Sequence, residues 1–307
     1  MRGYEALRES AAWIDLSTRG KVRLTGEDRA RLLHAMTTNN IQALQSGEGC
    51  YTFFLNAQGR ILADANVLCE AESLLLDTEP ELREKVFQHL DQFIIADDVT
   101  LEDATDALAT IGVEGPQAGA VLSGFGAPVP EVEQAWAAWG ERLVLRTATT
   151  GPVGWMVILP VAEKQALIDL LAGVPQADAE AARVVRIENG RPRYGDEITE
   201  RFLLQETGVM RAVNFSKGCY LGQEIVERVR SRGQVHRHLM PVRIDGALAA
   251  GVGTKLTANG KELAEVVSAV FSPGLNKVVA MAYVRTDAAK PGFELHAGES
   301  RAVVGSE

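Results

Sequence analysis

Apolar and polar positions along this chain fall into short blocks that alternate with period two or recur at helical spacing. Lys21-Val22-Arg23-Leu24 alternates as a strand does. Thr25-x-x-Asp28 then reads as a helix start ahead of Ala30, Leu33 and Met36. Residues 51–55 and 61–67 are strand patterns around Asn56-Ala57-Gln58-Gly59, which predicts a hairpin. Another strand is predicted at 73–76. Thr78-Glu79-Pro80-Glu81 has the residues of a capping box, and Leu82, Val86 and Leu90 follow on one helical face. Further strands are predicted at 108–113, 142–147 and 154–160, with the Gly/Pro-rich stretch 123–130 as a surface connection. A helix carrying Leu167, Leu170 and Leu171 closes at Gly173, and a second spans 177–188 before Asn189-Gly190 stops it.

From about Arg237 the pattern changes to short alternating segments at 239–244, 265–271 and 278–284. Asp245-Gly246, Asn259-Gly260 and Pro273-Gly274 mark turns in this region, which predicts a small barrel or sandwich. Strands and helices without regular βαβ alternation predict an α+β fold with mainly antiparallel sheets and flanking helices.

Composition narrows the function classes. A net charge of -10 would repel nucleic acid and acidic membranes alike, so general binding to either is not expected, although a local basic site remains open. The first ten residues carry Arg2, Glu5, Arg8 and Glu9 and lack the apolar core of a secretory signal. No uninterrupted apolar run is long enough to span a bilayer, and a cytoplasmic protein is expected. Cys50, Cys69 and Cys219 lie far apart with no CxxC pair, which argues against a disulfide framework, a zinc knuckle or a self-contained iron–sulfur cluster. His236 and His238 are two potential ligands without a third; they read as surface or polar-site residues, and no metal site is expected. There is no GxSxG, HExxH or P-loop, and Gly112-Val113-Glu114-Gly115 runs into proline instead of opening a helix.

Lys217-Gly218-Cys219-Tyr220-Leu221-Gly222-Gln223-Glu224 concentrates special residues. Gly218 and Gly222 let the backbone turn sharply and approach another group closely. A thiol near a lysine and a helix N-terminus is expected to ionise easily, since both favour the thiolate. Behind the motif, Leu221, Ile225 and Val229 predict the buried face of a helix, with Glu224 and Arg228 paired on another face. Arg228, Arg230, Arg232, Arg237 and Arg243 follow without an intervening acid. They are either a solvated face or a site for an anionic ligand. Glu188 stands at a helix C-terminus, where the dipole disfavours it. Arg183 and Arg186 could compensate, or the carboxylate could accept from a guanidine-like heterocycle. Asp64, in the second hairpin strand, is either solvent-facing or a third candidate carboxylate.

The eight-residue motif resembles the signature of the YgfZ-type branch of the glycine-cleavage T-protein superfamily. Asn56-Ala57-Gln58-Gly59-Arg60-Ile61, Gly115-Pro116-Gln117-Ala118, Arg186-Ile187-Glu188-Asn189-Gly190 and Tyr194-Gly195 are similar to that family's other segments, in order. The resemblance implies a three-lobed, ring-like folate-binding fold. Its two intertwined lobes would span 1–232, dividing between about 45 and 110, with a barrel over 233–307. It implies tetrahydrofolate as cofactor and a role in assembling or repairing iron–sulfur clusters in client proteins, some of which modify tRNA. Glu188 would then contact the pterin, within a folate-binding set that adds Arg228, Tyr220, Gln223 and Glu224, while Lys217 would activate Cys219. T-proteins carry an acidic pair where this chain has Ala63-Asp64 and generally lack the cysteine; both departures point away from glycine cleavage. The alternatives are a folate-dependent aminomethyl or methyl transferase using Asp64, and a folate sensor or scaffold.

Overall fold

The computed structural model describes residues 1–233, 235–246 and 250–305, so the predicted barrel region reaches beyond the described residues at 234, 247–249 and 306–307. The chain opens with α1 (Tyr4–Glu9), β1 (Ala12–Asp15), β2 (Gly20–Thr25) and α2 (Arg29–Met36). The predicted hairpin follows as β3 (Gly49–Leu55) and β4 (Ile61–Cys69), then β5 (Leu74–Thr78), α3 (Arg83–Asp91) and β6 (Thr100–Asp103). Next come β7 (Leu108–Glu114), α4 (Ala118–Gly124), β8 (Trp136–Trp139), β9 (Arg142–Leu145), β10 (Gly154–Pro160) and α5 (Lys164–Leu170). The helices α6 (Ala179–Glu188), α7 (Leu204–Thr207) and α8 (Gln223–Arg232) lead into six strands: β11 (Arg237–Ile244), β12 (Lys255–Ala258), β13 (Lys261–Ser272), β14 (Lys277–Arg285), β15 (Glu294–Ala297) and β16 (Ser300–Val304).

These elements build an α+β protein of three lobes. One five-stranded sheet has the order β3-β4-β5-β2-β6, a second has β1-β7-β10-β9-β8, and β11 to β16 close into a barrel. All of the strand pairings are antiparallel. The first two lobes are interwoven because β1 pairs with β7 in one sheet while β2, only five residues later, pairs with β5 in the other. Closure of the barrel leaves no unpaired edge strand among the described residues there.

Helix α6 joins the lobes. Asp178 caps it, accepting from the Ala181 N–H at 2.8 Å. Its apolar face (Ala181, Val184, Val185) packs with Tyr4 and Leu7 of α1 and with Val270, Met281 and Tyr283 of the barrel. The buried Arg186 on the same helix donates to the fully buried Glu197 at 2.6 and 3.1 Å and to Asp196 at 2.7 Å.

Several local expectations are corrected by tertiary context. Thr78 does not cap a helix: it ends β5, and its hydroxyl donates to the Asp64 carbonyl at 2.6 Å. Sheet pairing claims that residue, so α3 starts later, after a 3₁₀ turn at Pro80–Leu82, with Leu82, Val86 and Leu90 still buried. Residues 118–124 form α4, whose last two positions, Ser123 and Gly124, fall within the predicted loop 123–130. Leu167 and Leu171 are buried while Leu170 is exposed. On α8 the buried residue is Val226, and the ion pair is Arg230–Glu227 at 2.8 Å; Glu224 and Arg228 are both exposed.

The second glycine of the motif has a packing reason. Gly222 has φ 84°, and a Cβ there would lie 2.6 Å from the Asn56 carbonyl and 2.9 Å from Leu55. Reciprocally, Gly59 of the hairpin turn has φ 70° and would meet Ile225 at 2.9 Å. Gly222→Ala should cost about 2 kcal/mol or more in a urea titration, from left-handed strain plus the clash. Gly218 is exposed, with nothing nearer than the His34 ring at 3.9 Å, so Gly218→Ala should stay within about 0.5 kcal/mol. Equal losses would show that the close approach does not hold the loop.

Candidate functional site

A cavity of about 630 Å³ lies where the two five-stranded lobes and the α6 segment meet; among the described residues, none that lines it comes from the barrel. Asp64 opens into it from β4, with its neighbours Ala65 and Asn66. The hairpin register sets Phe53 opposite Asp64 and Tyr51 opposite Asn66, so Tyr51 lies on the same face as Asp64, on the diagonal. There the Tyr51 hydroxyl donates to Asp64 Oδ2 at 2.5 Å. Asp64 is 5% exposed. Burial first, and the neighbouring Glu79 charge second, push its pKa up to about 7. Burial and the adjacent Asp64 carboxylate likewise raise Tyr51 well above its ordinary value.

Asp64 differs from the other buried acids. Asp77 is held by the Arg19 guanidinium, through Nε at 3.0 Å and Nη2 at 2.8 Å, and by Asn66 Nδ2 at 3.0 Å. Glu114 accepts four bonds, from the N–H and hydroxyl of both Thr149 and Thr150, at 2.5 to 2.8 Å. That arrangement pins the cavity-lining loop 147–150. Gln134 bridges the two lobes, its Nε2 donating to Asn66 and Thr147 at 3.2 Å each. It does so at φ 67°, a strained setting for a non-glycine residue that only its surroundings can hold.

The cavity also gathers arginines. Arg19 and Arg193 both reach Glu79, and Arg186 is paired as described. Arg211 stands over the Tyr51 ring with its guanidinium carbon 5.0 Å from the centroid, and it reaches Glu133 at 3.5 Å. Arg191 donates to the Gly151 carbonyl at 2.5 Å.

Of the catalytic and folate-binding candidates singled out in the sequence, Asp64 alone lines this cavity; Arg183 and Arg186, considered there as partners of Glu188, line it too. Glu188 lines a second cavity of about 470 Å³, with Arg8 and Arg243, between the second lobe and the barrel. Its carboxylate accepts from the Tyr4 hydroxyl at 2.5 Å and the Ser272 hydroxyl at 2.6 Å, and Arg8 lies 3.2 Å away. Lys217 is buried, and its ammonium donates to the His34 and Thr37 carbonyls at the end of α2, both at 2.5 Å. Burial lowers it to about 8; the thiol whose charge it senses is Cys50, which burial drives to about 12. Tyr220 packs in the core of the first lobe with the Lys217 ammonium 4.8 Å from its ring centroid. Cys219 and Glu224 are exposed, and neither they nor Gln223 line either cavity.

The basic strip is not gathered into one site. Arg228, Arg230 and Arg232 are exposed on α8, while Arg237 pairs with Glu206 at 2.8 Å and lies over Phe202 and Tyr283. Tyr51, Arg191 and Arg211 were not singled out in the sequence. The hairpin register could have revealed Tyr51; no local signal marks the two arginines. Among the described residues no three His, Cys, Asp or Glu are placed to hold a metal ion, and no helix is long and apolar enough to cross a membrane.

Comparison with known proteins accounts for the architecture. Residues 1–217 match the GCVT N-terminal domain and residues 237–301 the glycine cleavage T-protein C-terminal barrel domain. The chain is 29% identical over 301 residues to an aminomethyltransferase of Rubrobacter xylanophilus, covering 95% of this chain and 80% of that one. It is 25% identical over 313 residues to a putative chloroplastic transferase of Arabidopsis thaliana, covering 99% and 72%. The crystal structure of the glycine cleavage system aminomethyltransferase T from Bartonella henselae superposes with a TM-score of 0.89 at 22% identity, over 99% of this chain and 87% of that one, and thus shares the fold. With both of its domains matched in order along one chain, this protein belongs to the glycine cleavage T-protein family.

Proposed function

We propose that this protein is a folate-dependent one-carbon transferase in which Asp64 handles the proton. The observation that carries the reading is a carboxyl group buried in a ligand-sized cavity with a tyrosine hydroxyl on it and, among the described residues, no cation paired with it. A carboxyl tuned to about 7 can both accept and return a proton near neutral pH, as general acid–base chemistry requires. The relatives named as aminomethyltransferase and putative transferase support transfer chemistry ahead of the iron–sulfur role that the motif suggests.

The residues present fit a reduced folate. About 630 Å³ is within the usual range for a ligand of that size. Asp15, Asp178 and Asp64 offer acceptors for the N–H groups of a pterin, and the arginines on the same walls offer donors for carboxylates. Tetrahydrofolate, when bound, would supply the ring nitrogen that carries the one-carbon unit. Asp64 would exchange the proton at Oδ1 or Oδ2, and the Tyr51 hydroxyl would hold the carboxylate in place and stabilise its charge. The pinned loop 147–150 would keep that wall fixed without reorganisation.

A second reading is favoured by one observation: Cys219 is exposed on a loop anchored by the Gly222 contact, away from both cavities. It would make the protein a folate-binding accessory to iron–sulfur client enzymes, including tRNA-modifying ones. Under it, Cys219→Ser should abolish complementation of a strain with failing iron–sulfur enzymes while leaving folate binding intact. Full rescue by that variant removes the thiol from the function.

For the leading reading, Asp64→Asn should lower kcat for a one-carbon donor about 10²- to 10⁴-fold, while tetrahydrofolate affinity by calorimetry changes little. Wild-type turnover should follow an ionisation near pH 7. Unchanged turnover in the asparagine variant would refute the assignment.

Stability should move oppositely with pH. The folded-state pKa lies above the unfolded one, so the unfolded chain loses this proton first. Wild type is therefore destabilised progressively as pH rises from about 4 to about 7, and the cost is constant above that. Asp64→Asn lacks the cost. Urea unfolding should find the variant more stable at pH 8, with an upper limit on the order of 4 kcal/mol, and equal to wild type near pH 4.

A further inference from the structure

We infer that Arg191 and Arg211 form a subsite for a carboxylate on the cavity wall beside the Tyr51–Asp64 pair, so that the ligand reaching Asp64 carries an acid group. The inference rests on the proposed function for what Asp64 does, but not for the existence of the subsite.

Arg191 is placed by backbone constraints on both sides. Gly190 ends α6 at φ 60°, the Arg191 N–H returns to the Arg186 carbonyl at 3.0 Å, and Pro192 follows. The side chain is then directed along the loop that Glu114 pins, where it donates to Gly151. That single bond leaves most of its five N–H donors unused. Among the described residues no carboxylate pairs with Arg191, unlike Arg19, Arg186 and Arg193 on the same cavity.

The acid with the strongest influence on it, Glu114, already accepts four bonds from Thr149 and Thr150. The next, Glu133, is exposed and belongs to Arg211. A guanidinium stays charged at any ordinary pH, so a half-buried one without a counter-ion is costly unless an anion arrives.

Arg211 completes the arrangement. It lies over Tyr51, whose hydroxyl is bonded to Asp64, so the second cation stands one aromatic ring from the reacting carboxyl. The two guanidiniums repel each other: burial and then the Arg211 charge lower Arg191. An anion placed between them relieves that repulsion. A singly charged, planar carboxylate suits the pair better than a phosphate dianion, because Asp15, Glu79 and Asp64 share the cavity.

Two sources could supply the group: the glutamyl end of a folate, or a separate one-carbon donor bearing its own acid. The test is calorimetry on full-length wild type, Arg191→Met, Arg191→Lys and Arg211→Met. The probes are tetrahydrofolate, 6-methyltetrahydropterin, which lacks the glutamyl end, and acetate added to the protein with 6-methyltetrahydropterin. If the glutamyl end is the ligand, the methionine variants lose about 10- to 100-fold in tetrahydrofolate affinity and none for the pterin. If a separate donor is the ligand, tetrahydrofolate affinity holds and acetate binding is lost.

Arg191→Lys keeps the charge without the fork and should show an intermediate loss. Arg211 is about half exposed and its ion-pair partner Glu133 is exposed as well, so Arg211→Met keeps the test open should Arg191→Met misfold. Changes below twofold for every probe in both methionine variants overturn the subsite. A wild-type protein that binds acetate but neither pterin leaves the subsite standing and removes the folate reading instead.

Discussion

A carboxyl group taken out of water must be matched by a cation, by several hydrogen-bond donors, or by a proton, and this structure depends on which of the three each buried acid receives. Asp77 has the Arg19 fork, Glu197 has Arg186, and Glu114 has four donors from two threonines. Asp64 has the Tyr51 phenol, and Glu79 pushes its pKa up more strongly than either Arg19 or Arg193 pulls it down. The first three have partners in place and act as joints. The fourth has its pKa pushed up to about 7 by burial and Glu79, and the proposed proton role uses that shift.

The joints are what keep Asp64 in that condition. Arg19 is itself buried and holds Asp77 and Glu79 at once, so Glu79 stays near Asp64 while its own charge is balanced elsewhere. Asn66 carries the same network from Asp77 to Gln134, and Gln134 carries it to Thr147 in the other lobe. The two sheets also share an apolar cluster, Leu68 and Leu75 against Leu145, Met156 and Ile158, and the polar contacts around the cavity add direction to that packing. A cavity built this way has rigid walls, because moving either lobe would leave a buried polar group unpaired.

Sequence patterning reached the fold because period and turn chemistry are local: the 51–67 hairpin, the Leu82/Val86/Leu90 face, α6 and the long barrel strands are where their residues suggest. It missed β1, β6, β8, β12, β15 and β16, strands of four or five residues too short to show a period. At the site, Asp64 was legible as an acid in a hairpin strand but not as a buried one, since burial there depends on a second lobe some 80 residues away. Glu188 was noticed for its place against the helix dipole, and its compensation turned out to come from Tyr4, Arg8 and Ser272, at opposite ends of the chain. Arg183 and Arg186 lay nearer in sequence, but the latter is committed to Glu197.

The eight-residue motif shows how a dense cluster of special residues can be divided by physics. Lys217 spends its charge on the carbonyl end of α2, where a cation offsets the helix dipole, so its burial is structural and its field falls on Cys50. Tyr220 is core, and Gly222 is required by the approach of the hairpin turn. Each of these choices is explained without any ligand. Cys219 is not: it is exposed, it fills no space, and a serine would satisfy the backbone equally well. Asp64 lines the larger cavity, whereas Cys219 lines neither cavity and is exposed beside Tyr220 of the first-lobe core. The role of one cannot be inferred from that of the other, and a variant that silences one leaves the physical basis of the other intact.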